Sequence, residues 1–570
     1  MLFQSQLERK MNMNHRTRIL ATAVVLAIFA AFGFNTAQGA ETVTTVLKAP
    51  KEIVGVPPLP FSGLKSAAFT TPTNATGSVT VSPPTALVGG DLTISGSGLP
   101  VNTPVKLVWG TTENASWSVE VTPATVNYLG VNYTSIPLFV DITTITTDAQ
   151  GAFTYKTKTP SDFGGTHDVY AVVDGVAAGK GGMQIGRTFV MKPTSGPIGT
   201  KFTVTYTGLG PKLYGSGGAL IYDNKYVGQL QGRWTRGTAT AEVVATGPVG
   251  KHYVTANAAI SFSYLNILQS PDPFGTPGTG IFTVTKDNGA FKPTINYPAN
   301  MTPTVEQRAG IGISSSAFDT ASTAVPTLSV NRGVVDSKTT LKVSGLSTTG
   351  THNLVWSTVV GNRFNCTIGT CWVYSPIPLG TAEVVNGNLE KEITIPNHLG
   401  GWHSIQVMSG DKIEAQISYY VQQSIVEFKD SKGKTLSYGT ATWDPSPEAF
   451  KKGGSGVGKT SFKEGEEFTI SVRGVGWTQM DNTLAVSYDN AHIGYGCGFN
   501  SNGYVVFRLR ATGGPGTHII NLRPLLYTQQ PSFPNAQFGM VPFLTWGTDF
   551  PGLALGYQIP MYTFAITVTK

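Results

Sequence analysis

Little in this chain is charged, few residues are cysteine, and helical periodicity is missing beyond the first forty positions. Charged residues are 13% of the total and the formal net charge is +7. Arg9, Lys10, Arg16 and Arg18 outnumber Glu8 near the start, which leaves about +4 for everything after residue 40. No basic cluster with interleaved aromatics occurs, so nucleic-acid binding is not expected. Three cysteines in 570 residues exclude a disulfide-dense scaffold, so apolar cores must hold the fold. No stretch after residue 40 has the roughly 20 apolar residues of a spanning helix. No G-x-S-x-G nucleophile elbow is present. Carboxylates are few, and no carboxylate pair recurs along the chain.

What the chain does contain begins with "NHRTRILATAVVLAIFAAFGFNTAQGA". Arg16 and Arg18 precede an apolar run from Ile19 to Phe34, and small residues Ala37, Gly39 and Ala40 follow. This order predicts a secretory signal peptide over 1–40, with an uncleaved anchor as the alternative. The remainder is rich in Gly (67) and Pro (35), with 10% aromatics, which favours short strands and many turns.

The chain also repeats itself. "KFTVTYTGLG" at 201–210 aligns with "EFTISVRGVG" at 467–476, and "IYDNKYVG" aligns with "SYDNAHIG", at a constant offset of 266. "TPSDFGGTHDVYAVVDG" aligns likewise with "IPNHLGGWHSIQVMSGD", at an offset of 236. Two modules in tandem are therefore followed by the same two again, each of a size to own a core. The expected division is an extended segment at 41–77, modules at 78–189 and 190–286, and a linker at 287–325. A third module at 326–423, a connector at 424–464 and a fourth module at 465–570 complete it.

Within a module the hydrophobic period is two. Phe202, Val204 and Tyr206 alternate with threonines, as in a half-buried strand. Asp223-Asn224 and Asp489-Asn490 sit where a two-residue hairpin needs left-handed backbone. Six or seven such strands per module predict an all-β chain of four tandem β-sandwiches arranged as a duplicated pair. The segments "VSPPTALVGGDLTISGSGLP" and "MKPTSGPIGTKFTVTYTGLG" resemble the immunoglobulin-like domains of bacterial cell-surface proteins, including the IPT/TIG type. That resemblance implies a sandwich fold used as spacer, adhesive surface or ligand-binding module, and no particular activity.

Four features invite a chemical reading. Gly453, Gly458, Lys459 and Thr460 match the G-x-x-x-x-G-K-[ST] phosphate loop. A working loop follows a buried strand and opens a helix, whereas "WDPSPEAFKK" precedes this one and a strand pattern follows. No nucleotide or other cofactor is expected. Five histidines stand two residues after a glycine: His167, His252, His352, His403 and His518. They are spread over four modules, and four of them start a strand just after a turn, so strand-start residues bonding nearby carbonyls are expected, and no metal site. Cys366 and Cys371 bracket a four-residue turn, and in an exported chain they are expected to pair as a disulfide. Cys497 is left over. Finally, the stretch 527–562 is long, aromatic and proline-rich. Tyr527, Phe533, Phe538, Phe543, Trp546, Phe550 and Tyr557 offer rings for stacking on sugars or gripping a partner. Packing of that stretch over its own module is the competing expectation.

The functional expectation is an exported, non-catalytic structural or adhesive protein of the cell surface. Its partners would be copies of itself, other surface proteins or glycans. A carbohydrate- or protein-binding module set serving a secreted complex is the alternative, and an extracellular hydrolase a more distant one.

Overall fold

The computed structural model describes residues 66–570 except 114–115, 123–124, 133–135, 213, 234, 260–261, 271, 273–276, 292–293, 297–318, 320, 348, 362–371, 426–439, 442–459, 477–481, 499–500, 530–536 and 546–560. The leader at 1–40, Gly453, Gly458, Lys459, Cys366 and Cys371 lie outside the described residues, as do Phe533, Trp546, Phe550 and Tyr557.

Alternating patterns become paired sheets four times over. The first module sets a three-stranded sheet (Ser78–Ser82, Asp91–Ser97, Phe153–Lys158) against a five-stranded one. The five-stranded sheet runs Thr85–Ala86, Val176–Ile185, Gly165–Val173, Pro104–Glu113, Ile136–Thr146 in spatial order. The second module repeats this with Thr188–Lys192, Lys201–Thr207 and Ala239–Val244 on one side. Ser195–Gly196, Gly278–Val284, Gly250–Asn257, Gly217–Tyr222 and Lys225–Gln231 form the other side. The third module has the same order. In each module the chain starts antiparallel in the small sheet, crosses, and pairs parallel with the last strand of the large sheet. That is the immunoglobulin-like arrangement, and the four sandwiches form a duplicated pair. Among the described residues there is no α-helix.

The cores follow the period-two reading. Phe202, Val204 and Tyr206 are buried, and the Phe202 ring stacks on Phe282 of the opposite sheet at 4.7 Å. Ile94, Leu107 and Val169 fill the first module, Trp356 and Tyr419 the third, and Phe468 and Ile566 the fourth. Asp223 and Asn224 take φ of 48° and 63°, and Asp489 and Asn490 take 48° and 62°, so both hairpins use left-handed pairs.

Four segments differ from the sequence expectation. The stretch at 424–464 contributes three strands to the fourth module and is no simple connector. Ser424–Ile425 and Thr440–Ala441 pair with Glu467–Arg473, at the positions that Thr188–Lys192 occupies against Lys201–Thr207. Ser461–Lys463 then pairs parallel with the last strand, Met561–Thr569. A strand thus follows Thr460 where a phosphate loop would open a helix. The linker at 287–325 also joins a sheet: Thr294–Asn296 pairs with Met561–Thr563 at the edge of the fourth module. Residues 66–70, within the segment expected to be extended, lie on the first module. There Phe69 packs its ring at 5.0 Å from both Phe139 and Tyr170. The stretch at 527–562 is partly strand. Gln537–Pro542, which includes Phe538, pairs with the long strand Gly516–Gln529, which includes Tyr527. Phe543 is buried against the second module, so it offers no ring to a ligand. Open edges of sheets take up neighbouring chain because their backbone groups need partners, and hydrophobic period alone does not reveal that.

Candidate functional site at the module junctions

The histidines after glycine each hold a corner. His167, His252, His403 and His518 place Nε2 on the carbonyls of Phe163, Pro248, Gly400 and Gly514 at 2.6 to 3.1 Å. His352 is different, bonding buried Glu414 at 2.9 Å. In the second and fourth modules the other ring nitrogen finds the hairpin aspartate. His252 Nδ1 donates to Asp223 and His518 Nδ1 to Asp489, each at 2.5 Å. The same carboxylates accept the backbone N–H of Tyr253 and Ile519. From sequence the aspartates are turn residues and the histidines strand starts; the bond between them is visible only in the structure, although each pair lies 29 residues apart in both copies. Gly247 and Gly513, with φ of 93° and 101°, leave room for the imidazole, since a Cβ there would meet its Cε1 at 2.6 and 2.5 Å.

These corners are structural devices of different exposure. Asp489 is buried, and it also accepts Thr246 Oγ1 of the second module at 2.6 Å. Burial opposes charge on both Asp489 and His518. The His518 and Thr246 hydrogen bonds outweigh it and hold the Asp489 carboxyl below the usual range. The Asp489 hydrogen bond and charge likewise hold His518 above the ordinary histidine value. Among the described residues no group of three or more His, Cys, Asp or Glu could hold a metal ion.

Within each pair the modules meet at a glycine contact. Gly164 donates its N–H to Leu209 O at 2.8 Å, and Gly400 donates to Val475 O at 3.0 Å. A Cβ on Gly164 would lie 1.7 Å from the Gly208 carbonyl oxygen, and one on Gly400 would lie 1.7 Å from that of Gly474. The two pairs therefore share one junction, although their connecting segments differ greatly in length.

The chemistry around that contact is not shared. In the first pair, buried Asp162 accepts Trp109 Nε1 at 2.9 Å and Arg236 Nη2 at 2.6 Å. Arg236 also donates to Thr111 Oγ1 at 2.7 Å. In the second pair His398 and Asn502 take the places of Asp162 and Arg236. His398 Nδ1 meets Thr358 Oγ1 at 3.2 Å, and the buried Trp356 Nε1 has no hydrogen-bond partner. Burial, helped by His403 nearby, holds His398 down to about 4. Between that value and 6.5 the unfolded chain binds a proton that the folded chain refuses. Stability is therefore full above about pH 6.5 and falls by on the order of 2–3 kcal/mol on acidification to about pH 4. Denaturant melts at the two pH values should show this loss in the parent and a smaller one in His398→Asn. Equal losses in both would remove His398 as the cause.

A further contact joins the pairs. The apolar core of the second module continues into the fourth through Ile519, Leu544 and Ala565. Asn490 Nδ2 donates to Val244 O at 2.9 Å, and buried Arg523 donates to Glu242 O at 3.1 Å. Leu544 N donates to Gln229 O at 2.9 Å, and Thr545 Oγ1 accepts Gln231 N at 3.2 Å. The second and fourth modules are thus fixed to each other at the level of side chains and backbone.

These features define a class: a tandem immunoglobulin-like sandwich protein whose buried polar groups serve the joints between modules. No family model and no curated protein matches the chain. Among solved structures it is similar to FdeC, an Escherichia coli adhesin, at 12% identity over 63% of this chain and 99% of that one, with a TM-score of 0.14. The ICAM-5 D1–D4 ectodomain fragment is similar at 10% identity over 86% of this chain and all 100% of its own, with a TM-score of 0.16. The Yersinia pseudotuberculosis adhesin InvE is similar at 14% identity over 45% of this chain and 68% of that one, with a TM-score of 0.12. At such TM-scores the likeness carries no argument about what this chain does.

Proposed function

We propose that the protein is an exported, non-catalytic structural or adhesive component of the cell surface, built from IPT/TIG-like modules. The observation that carries this reading is the recurrence of one glycine-locked junction in both pairs. Junctions that forbid a single methyl group fix the angle between neighbouring modules, and a fixed angle is useful to a rod or lattice. The ion pair at the first junction and the hydrogen bonds between the second and fourth modules point the same way, because they hold modules together. The leader expected at 1–40 supports export.

A second reading, a partner-binding module set, is favoured by the connection at 258–277. Leu265, Ile267 and Leu268 stand almost wholly exposed there, beside a salt bridge from Arg187 to Asp272 at 2.5 Å. Exposed apolar side chains gathered in one place are a feature of contact surfaces.

Cell fractionation with immunogold labelling tests the proposal. Label on the outer surface of washed cells is the expected result. Recovery of the protein solely from the cytoplasm, or robust hydrolase activity in the purified chain, would overturn it.

A further inference from the structure

The joint between the second and fourth modules is lopsided. The fourth module presents the outer face of its large sheet, where Ile519 and Ala565 are fully buried by the contact. The second module presents its flank, the edge strand Lys225–Gln231 beside Ala239–Val244. Because the modules are repeats, each owns a copy of the surface it does not use. The face of the second module carries Tyr253 and Ile281 where the fourth has Ile519 and Ala565, and they are 59% and 43% exposed. The flank of the fourth module carries Ile493 and Tyr495 where the second has buried Val227 and Gln229, and they are 51% and 45% exposed. One face and one flank are left over.

We propose that these two surfaces bind each other between copies of the chain. The face of the second module of one molecule would seat on the flank of the fourth module of the next. The joint inside the chain supplies the template. There, the connection after Gly516–Gln529 reaches over the partner's edge strand and hydrogen-bonds Gln229 and Gln231. The equivalent connection of the second module is the one that displays Ile267 and Leu268 without a neighbour. The strand it would reach, Ala491–Cys497, ends its sheet; its start lies near Lys225–Gln231, where His492 meets the Tyr226 ring, while Ile493 and Tyr495 stay exposed. The hairpin chemistry also transfers. Asp223 keeps its His252 partner but lacks the threonine that Asp489 finds in Thr246, and the matching Thr512 is exposed. A face-to-flank contact is heterologous, so it adds copies head to tail, in an open line unless the rotation closes a ring.

This inference rests on the structural reading above and names its partner, a second copy. The test uses the full chain in three forms: parent, Tyr253→Glu on the face, and Tyr495→Glu on the flank. Both substituted positions are exposed, so thermal melts should coincide. Sedimentation velocity and negative-stain microscopy should show the parent growing into open-ended oligomers with concentration. Each variant should stay monomeric, and an equimolar mixture of the two variants should give dimers of doubled mass, because one intact pair of surfaces remains. A parent that stays monomeric at every concentration, or variants that assemble like the parent, would overturn it. A monomeric parent found on the surface of washed cells would defeat self-assembly and spare the surface role. An assembling parent absent from the surface would do the reverse.

Discussion

Arg236→Leu should destabilise the first pair by about 3–5 kcal/mol, the usual cost of removing one partner from a buried ion pair. The guanidinium leaves behind an Asp162 carboxylate that is buried and keeps the Trp109 indole and the Phe163 backbone N–H as donors, with His167 Nδ1 3.9 Å away. Thr111 Oγ1 loses a donor at the same time. Asn502→Leu at the matching position of the second pair should cost far less, since no carboxylate waits there. Replacing Asp162 as well, in Asp162→Leu/Arg236→Leu, should recover part of the loss, because the stranded charge goes with it. Chemical denaturation of the four proteins measures these differences. An Arg236→Leu midpoint within error of the parent would show that the ion pair contributes nothing at the joint.

Gly400→Ala is expected to force the second pair apart. Its new Cβ would stand 1.7 Å from the Gly474 carbonyl oxygen, a rigid backbone atom of the next module. Gly400 has no left-handed backbone to lose, so the whole effect is steric. Overpacked sites cost about 1–3 kcal/mol and occasionally more, and a backbone-on-backbone clash belongs at the upper end. Gly164→Ala should do the same to the first pair, against Gly208. Gly410→Ala is the control: φ is 59° but nothing lies within 4 Å, so only backbone strain of about 1–2 kcal/mol remains. Small-angle scattering should report a changed shape for Gly400→Ala and none for Gly410→Ala. Amide exchange should quicken at Gly400, whose N–H is the donor across the junction, while Phe468 and Ile470 in the core stay protected. An unchanged scattering curve for Gly400→Ala would mean that the junction yields without opening.

The candidate site was less legible in the sequence than the fold, and the reason is specific. Tyr222, Asp223 and His252 recur as Tyr488, Asp489 and His518, so the corner could have been found by asking which polar residues recur at the same spacing in both copies. The split between Asp162 with Arg236 and His398 with Asn502 was harder. The Asp162–Arg236 pair crosses from one module to the next, 74 residues apart, and no local pattern carries it. Phe543 shows a related limit. Its place in an aromatic, proline-rich stretch suggested a ring for a ligand, yet the open edge at Gln229 draws that stretch onto the second module.

The order of residues by itself determined the sandwiches and their duplication. Alternation such as Phe202, Val204, Tyr206 has only one way to bury its apolar side, and a left-handed Asp-Asn pair has few uses besides a tight turn. Those are local rules, satisfied within a few residues. The glycine contacts, the ion pair across the first junction and the seating of one module's flank on another's face were decided by tertiary structure alone. A glycine does not announce which backbone will approach it, and an exposed Tyr253 and a buried Ile519 read alike until the neighbour that covers one of them is in place.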